Sequence, residues 1–194
     1  FTIDQSLRFN TGDEPYLSRT PAGAGNQKTW TWSAWVKLPS ADSLRSYILN
    51  VGVDNEDYFR IYHDGADDSQ FRIVAENSNS TVLNLITTAY YRDPSAWYHI
   101  VLAVDTTQGA EANRAKFYIN GSQITDFDSE TYPSINTDFY FNNAQPHNIS
   151  GRLWNDDYYA SCYLAEVHFI DGTALTPTSF GEAGDYGEWK PIEV

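Results

Sequence analysis

Hydrophobic and polar residues alternate with a period of two in short runs along most of the chain. The clearest run covers residues 29–37, where one face carries Trp30, Trp32, Ala34 and Val36. Trp35 falls on the opposite, polar face of the same run. Similar runs of β-branched and aromatic residues follow, separated by turns rich in Asp, Asn and Gly. This pattern predicts β-strands, and no segment has the periodicity of a long helix.

Three segments carry more specific predictions. Residues 97–105 are apolar on both faces, which indicates a central strand covered from both sides. Residues 116–124 contain Asn120-Gly121 between two short apolar runs, which predicts a tight hairpin with a type I′ turn. Thr176-Pro177 predicts one short helical turn, because proline is favoured at the first helical position.

The C-terminal third gives one prediction about the direction of side chains and one about a loop. Strict alternation over residues 163–170 places Tyr163, Ala165, Val167 and Phe169 on one face and Leu164, Glu166, His168 and Ile170 on the other. Residues 181–194 are predicted to form a loop that packs through Trp189.

About twelve strands with regular turns predict an all-β fold, a two-sheet antiparallel β-sandwich, as a single domain over residues 1–194.

Composition and charge narrow the classes of function. A chain of 194 residues suits one domain, and its net charge of −14 repels nucleic acid phosphates and anionic lipid surfaces. We therefore expect no nucleic acid partner and no membrane insertion. The single cysteine, Cys162, excludes an internal disulfide and is expected to be a small buried hydrophobe. The absence of methionine predicts a processed chain or a piece of a longer one.

Four blocks of the sequence resemble the laminin G-like, concanavalin A-like jelly-roll family. They are residues 32–36, 97–105, 116–121 and 163–175, and their order and spacing also agree with that family. The resemblance spans most of the chain. It implies a jelly-roll sandwich of two antiparallel sheets, in agreement with the strand pattern.

A narrower resemblance involves the segments near both ends. Residues 6–10, 15–21, 28–32, 180–182 and 189–191 are similar to laminin G-like domains of marine and cyanobacterial phage virion proteins. This implies an extracellular place on a virion surface, in a tail, fibre or capsid, with other virion proteins or further copies of the chain as partners. The missing disulfide suits a phage product better than an animal laminin domain.

The sequence does not predict an enzyme. Jelly-roll glucanases, which this fold resembles, place paired carboxylates on one strand face for hydrolysis with retention of configuration. Glu166 and Asp171 are the nearest approach, and their spacing puts them on opposite sides of a strand. The four histidines lie too far apart for a metal-ligand motif. A glycan hydrolase is therefore the weakest of three functional hypotheses.

Calcium is the one cofactor that the acidic loops suggest. Many laminin G-like domains, which this chain resembles, hold one calcium ion at the rim of the sandwich. The candidate ligands are Asp54, Asn55, Asp57, Asp156 and Asp157. The alternative is that Asp and Asn favour turns and keep an acidic protein soluble.

Glycan binding is the main functional hypothesis. One predicted loop combines aromatic rings, on which sugar rings stack, with carboxylates and amides that bind hydroxyls: Trp154, Asn155, Asp156, Asp157, Tyr158 and Tyr159. Adhesion to a host-surface polysaccharide or other glycan would follow. The alternative is a structural virion module with no ligand, in which exposed aromatic residues form protein–protein interfaces.

Overall fold

The computed structural model describes residues 1–38, 45–65, 69–152 and 158–194. Within these ranges the chain forms two large antiparallel sheets and one small hairpin. The order of strands in the six-stranded sheet is β1 (Leu7–Phe9), β13 (Cys162–Asp171), β3 (Thr29–Lys37), β8 (Trp97–Asp105), β9 (Ala115–Ile119) and β10 (Ser122–Gln123).

The second sheet has seven strands and also is antiparallel throughout. Its order is β11 (Phe127–Thr131), β7 (Ser80–Thr87), β6 (Gln70–Asn77), β5 (Tyr58–Asp64), β4 (Arg45–Gly52), β12 (His147–Ile149) and β2 (Leu17–Arg19). The helical segments of the described ranges are three single 3-10 turns, at Thr11–Asp13, Glu111–Asn113 and Pro177–Ser179. The predicted all-β sandwich is confirmed, and so is the helical turn at Pro177. No helix in the described ranges could span a membrane.

The inner faces of the two sheets bury one apolar core. Trp30 is fully buried, and its ring centroid lies 5.3 Å from that of Phe59 and 4.4 Å from that of Phe141. The alternation predicted for residues 29–37 is confirmed, since Trp30, Trp32, Ala34 and Val36 all belong to this core. Cys162 is buried beside them as a free thiol.

The C-terminal segment covers the outer face of the six-stranded sheet. Phe180 packs there on Val101, Ala103 and Tyr118, in a second and smaller apolar cluster. Strand β8 therefore has the core on one side and the C-terminal segment on the other, as its sequence predicted. The segment is more ordered than expected, because Gly181–Ala183 (β14) and Trp189–Pro191 (β15) pair as an antiparallel hairpin.

The predicted facing of residues 163–170 is correct as far as Ala165 and wrong beyond it, because β13 contains a β-bulge. Its pairing with β3 shifts between Ala165 and His168, and Glu166 has a φ of +46°. A bulge inserts one extra residue and so inverts the alternation beyond it. Leu164 belongs to the main core, and Phe169, assigned to the other face by strict alternation, contacts Trp30 of that same core.

Candidate functional site

Four of the predicted contact residues, Trp154, Asn155, Asp156 and Asp157, lie outside the described residues. The two that follow them are described, and they differ sharply in exposure. Tyr158 is 37% exposed, whereas Tyr159 is 5% exposed, so only the first presents its ring at the surface. The backbone carbonyl of Tyr158 accepts a hydrogen bond from the Tyr47 N–H on strand β4, at 3.3 Å. The end of the predicted loop is thereby joined to the seven-stranded sheet.

Tyr158 adjoins a layer of tyrosine and arginine side chains on the outer face of that sheet. In β5 the side chains alternate, so Phe59 and Ile61 enter the core while Tyr58, Arg60 and Tyr62 face outwards. We name this set the Tyr–Arg layer; its members are Tyr47, Tyr58, Tyr62, Tyr158, Arg45, Arg60, Arg72 and Arg152.

The tyrosine rings of the layer are packed on one another and on guanidinium groups. The Tyr47 centroid lies 4.8 Å from that of Tyr62 and 5.1 Å from that of Tyr158. The guanidinium carbon of Arg60 lies 3.4 Å from the Tyr58 centroid, and that of Arg152 lies 4.8 Å from the Tyr158 centroid. Such cation–π contacts fix the planes of both partners. The exposed ring of Tyr158 is therefore held in place from two sides.

Hydrogen bonds and ion pairs orient the arginines. Arg60 donates from Nε to the Asn50 side-chain oxygen at 3.3 Å and from Nη2 to that of Asn55 at 3.2 Å. Arg152 also donates to Asn55, at 3.2 Å. The buried carboxylate of Asp64 pairs with Arg45 and with Arg72, both at 3.2 Å. Four of the twelve basic residues of this acidic chain thus meet on one sheet face.

Burial shifts the pKa values of several groups in the layer. It raises the pKa of Tyr47 and Tyr62, and for Tyr58 burial and a hydrogen bond with Glu76 raise the pKa together. Burial lowers the pKa of Arg60. The three tyrosines and Arg60 are between 4% and 8% exposed, so they support the exposed Tyr158 ring from below and do not offer ring faces of their own.

The same face continues, half-exposed, over β6 and β7. Cross-strand pairing places Arg72 beside Ile86 and Val74 beside Asn84, and these four side chains are half-buried. Asn84 donates from Nδ2 to the Ser129 hydroxyl on β11 at 2.9 Å. Polar side chains thus alternate with apolar ones across a surface that remains in contact with solvent.

The described calcium candidates already serve other contacts. Asp54 accepts hydrogen bonds from the backbone N–H groups of Glu56 and Asp57, both at 2.9 Å, which lower its pKa. Asp57 accepts from the N–H of Ser78 at 2.8 Å. The side-chain oxygen of Asn55 faces two guanidinium groups, which repel a divalent cation. These residues form a turn, and calcium binding there stays a prediction.

The two carboxylates considered for catalysis lie in separate networks. Glu166 contacts His168 at 3.3 Å, whereas Asp171 accepts hydrogen bonds from the Asn26 N–H and from the Asn142 side chain. The described part of the chain contains no group of three or more His, Cys, Asp or Glu residues able to hold a metal ion. His63 and His147 contact backbone groups in the structure, at Tyr91 and Gln145 respectively.

Sequence reasoning missed the Tyr–Arg layer, although a signal for it exists. The alternation of Tyr58, Arg60 and Tyr62 gives strand β5 an outer face of aromatic and basic residues. Arg45, Arg72 and Arg152 are distant in sequence, and only the strand order of the sheet brings them to the same surface.

Several solved structures share this fold. A heptameric SAP-like pentraxin from Limulus polyphemus is 15% identical, with a TM-score of 0.57, and the match covers 90% of this chain and 78% of that one. The CBM40 of the Ruminococcus gnavus IT-sialidase, solved with α2,3-sialyllactose, is 14% identical with a TM-score of 0.54 and coverage of 92% and 95%.

A third similar structure belongs to a larger protein. The binding domain of Paraclostridial Mosquitocidal Protein 1 is 17% identical with a TM-score of 0.62; the match covers 92% of this chain but 42% of that one. At these identities the likeness shows the fold alone.

Sequence comparison identifies the family. A search of curated protein sequences gives no significant match. The sequence profile of one family does match, over residues 11–179, and this range contains all but three (β1, β14 and β15) of the fifteen strands in the described part of the chain. The chain belongs to the concanavalin A-like lectin/glucanase superfamily, in its laminin G-like branch.

Proposed function

We propose that this chain is a non-catalytic carbohydrate-binding domain that mediates adhesion from the surface of a phage particle to a glycan of the host. The observation that carries the carbohydrate-binding part is the Tyr–Arg layer. It presents one exposed tyrosine ring, Tyr158, fixed between Tyr47 and Arg152. Sugars stack their C–H faces on such rings and bind donors such as guanidinium groups through their hydroxyls.

Two further findings support the proposal. The superfamily includes lectins, and the structurally similar CBM40 was solved with a bound sialylated sugar. The virion location is supported by the resemblance of residues 6–10, 15–21 and 189–191 to phage laminin G-like domains. Many copies on one particle would raise the weak affinity of a single site by multivalency.

The test is binding of the domain to immobilised bacterial and algal polysaccharides, with variants of the exposed ring. Tyr158→Ala removes the stacking surface and is expected to weaken binding about tenfold, which corresponds to about 1.4 kcal/mol. Tyr158→Phe keeps the ring and is expected to retain most of the affinity.

Tyr90→Ala is the matched control for this test. Tyr90 is also exposed and also lies under a guanidinium group, that of Arg92 at 4.6 Å, but it is outside the Tyr–Arg layer. Equal losses in Tyr158→Ala and Tyr90→Ala would contradict a specific role for the layer. A reducing-end assay on the same polysaccharides is expected to show no hydrolysis.

A second candidate function is a structural virion module, and one observation favours it. Three apolar side chains that are between 39% and 55% exposed line one surface groove beside the edge strand β1: Leu7, Leu17 and Val167. Exposed apolar groups that cluster in this way are typical of protein–protein interfaces. If this function is the correct one, the domain binds no polysaccharide, and the double variant Leu7→Asp, Leu17→Asp fails to join the particle.

A further inference from the structure

A pocket of about 340 Å³ lies on the opposite side of the sandwich from the Tyr–Arg layer. Its floor is formed by Trp35 of β3 and Trp97 of β8, on the outer face of the six-stranded sheet. Residues 1–6 form one wall, and Pro191 of the C-terminal hairpin closes another. This volume is at the lower end of the about 300–1,000 Å³ typical of ligand pockets, a size that suits one or two sugar rings.

The Trp35 side of the pocket floor is preorganised. The Trp35 ring stacks on the imidazole of His99, with centroids 4.9 Å apart and planes 24° from parallel. The His99 ring is fixed in turn by the Ser33 hydroxyl, 2.9 Å from Nε2, and by Trp189, which donates from Nε1 to Nδ1 at 2.9 Å. A rigid aromatic floor loses little entropy when a ligand stacks on it.

The hairpin wall is held by the same contacts. Trp189 packs closely against Gly121 and Gly181, where an added Cβ atom would approach its ring atoms to 2.5 Å and 2.7 Å. Because Pro191 is two residues from Trp189 on the same short strand, docking of the Trp189 ring also positions this wall. The Trp35 side of the floor and the hairpin wall are thus fixed by these contacts.

The polar lining indicates the class of ligand. Asp4, Gln5, Thr2 and Ser6 are exposed, and they border the aromatic floor with a carboxylate, an amide and two hydroxyls. Asp4 carries the one ionisable side chain of the lining, and its carboxylate would repel an anionic sugar there. Apolar rings beside a few polar groups, with a single negative charge, fit a neutral sugar.

We propose that this pocket is a second saccharide subsite, which binds a neutral hexose unit stacked on Trp97. The inference rests on the proposed carbohydrate-binding function and extends it. With one site on each sheet, a single domain could contact two glycan chains, or two distant parts of one chain.

The experiment titrates neutral trisaccharides of glucose, mannose and galactose into the domain and follows intrinsic tryptophan fluorescence and heat. It uses the wild-type chain and the Tyr158→Ala variant, in which the Tyr–Arg layer is impaired. Trp97→Ala is expected to lower the affinity of the remaining site at least fivefold in the Tyr158→Ala background, and Trp97→Phe is expected to restore part of it.

Asp4→Ala provides an independent test that does not threaten folding, because Asp4 is exposed. It is expected to weaken binding in the same background, whereas Asp185→Ala, at an exposed position outside the pocket, is expected to have no effect. Binding that is unchanged by both Trp97→Ala and Asp4→Ala would overturn the subsite and leave the proposed function standing. If no variant and no wild-type chain binds any sugar or polysaccharide, both proposals fail.

Discussion

At the scale of single residues, His99 shows how a buried polar group can organise a surface. Trp189 donates to its Nδ1, so the proton of the neutral ring resides on Nε2, which donates to the Ser33 hydroxyl. Burial, with a smaller electrostatic contribution from the neighbouring His168, lowers the pKa of His99 to about 4. A proton on Nδ1 would leave no acceptor for the Trp189 N–H.

This arrangement predicts a loss of stability in acid. The unfolded chain titrates His99 near its ordinary pKa of 6.5, so between pH 6.5 and pH 4 the unfolded state binds more protons than the folded state. The contribution of the neutral His99 ring to the free energy of unfolding is complete above pH 6.5 and is lost as the pH falls towards 4. The expected total is about 3 kcal/mol.

The His99→Gln variant isolates this effect, because glutamine does not titrate while its amide can accept from Trp189 and donate to Ser33. Urea unfolding at pH 7 and at pH 4 should show a larger drop in the free energy of unfolding for the wild type than for the variant. His63 and His147 also have lowered pKa values, but they are common to both proteins and cancel. Parallel pH profiles would contradict the prediction.

Cys162 gives a second prediction at this scale. Burial raises the pKa of its thiol to about 12, so the reactive thiolate is scarce at neutral pH and the sulfur is also shielded. We expect the native domain to react with a thiol reagent such as DTNB at a rate limited by unfolding, and the chain in guanidinium chloride to react at once. Rapid reaction of the native domain would show that the sulfur is accessible.

At the scale of elements, the C-terminal hairpin depends on glycines that leave room for Trp189. Gly121 has a φ of +79°, and a Cβ atom there would meet the Trp189 ring at 2.5 Å. Gly121→Ala is therefore expected to displace the hairpin and to destabilise the domain by about 2 kcal/mol, since backbone strain adds to the clash.

Gly172→Ala separates the two causes. Gly172 has a nearly equal φ of +77°, but a Cβ atom there would meet nothing within 4 Å. The thermal unfolding temperature of Gly172→Ala should therefore fall less than that of Gly121→Ala, because only the Gly121 substitution meets the Trp189 ring. The tryptophan emission should also shift to the red in Gly121→Ala alone. Equal destabilisation would assign the whole effect to backbone conformation.

The elements also show what the sequence could and could not predict. The turn between β9 and β10 is local, because Asn120 and Gly121 themselves adopt the positive φ that it needs. The bulge at Glu166 is not local: it lies in the pairing of β13 with β3, just beyond Leu164, where the pairing of β13 with the edge strand β1 ends. Formation of the C-terminal hairpin also depends on residues that are distant in sequence. These are His99 on β8 and Gly121 in the turn after β9, both of which contact Trp189.

At the scale of the whole molecule, the sandwich separates two surfaces with different chemistry. The seven-stranded sheet carries tyrosines and arginines, and the six-stranded sheet carries tryptophans beside one carboxylate. The residue types of the glycan hypothesis, aromatic rings with polar partners, were predictable from composition. Their places were not, since the Tyr–Arg layer joins β4, β5 and β6 with residues near 152 and 158.

The net charge of the molecule affects how closely copies of the domain can approach one another. A net charge of −14 favours solubility but opposes close approach of copies at low ionic strength. At the ionic strength of seawater the Debye length falls to a few ångströms, about 4 Å, so many copies can stand side by side on a particle. This agrees with the proposed multivalent adhesion.

The most direct test of the central claim is binding of the domain, displayed in many copies on a bead, to a panel of bacterial and algal polysaccharides. The panel is run with calcium and with chelator, because the calcium prediction concerns the same loops. We expect saturable binding to at least one polysaccharide, weakened by Tyr158→Ala and unaffected by Tyr90→Ala. Absence of binding to every polysaccharide in this multivalent form would contradict the account and favour the structural virion module.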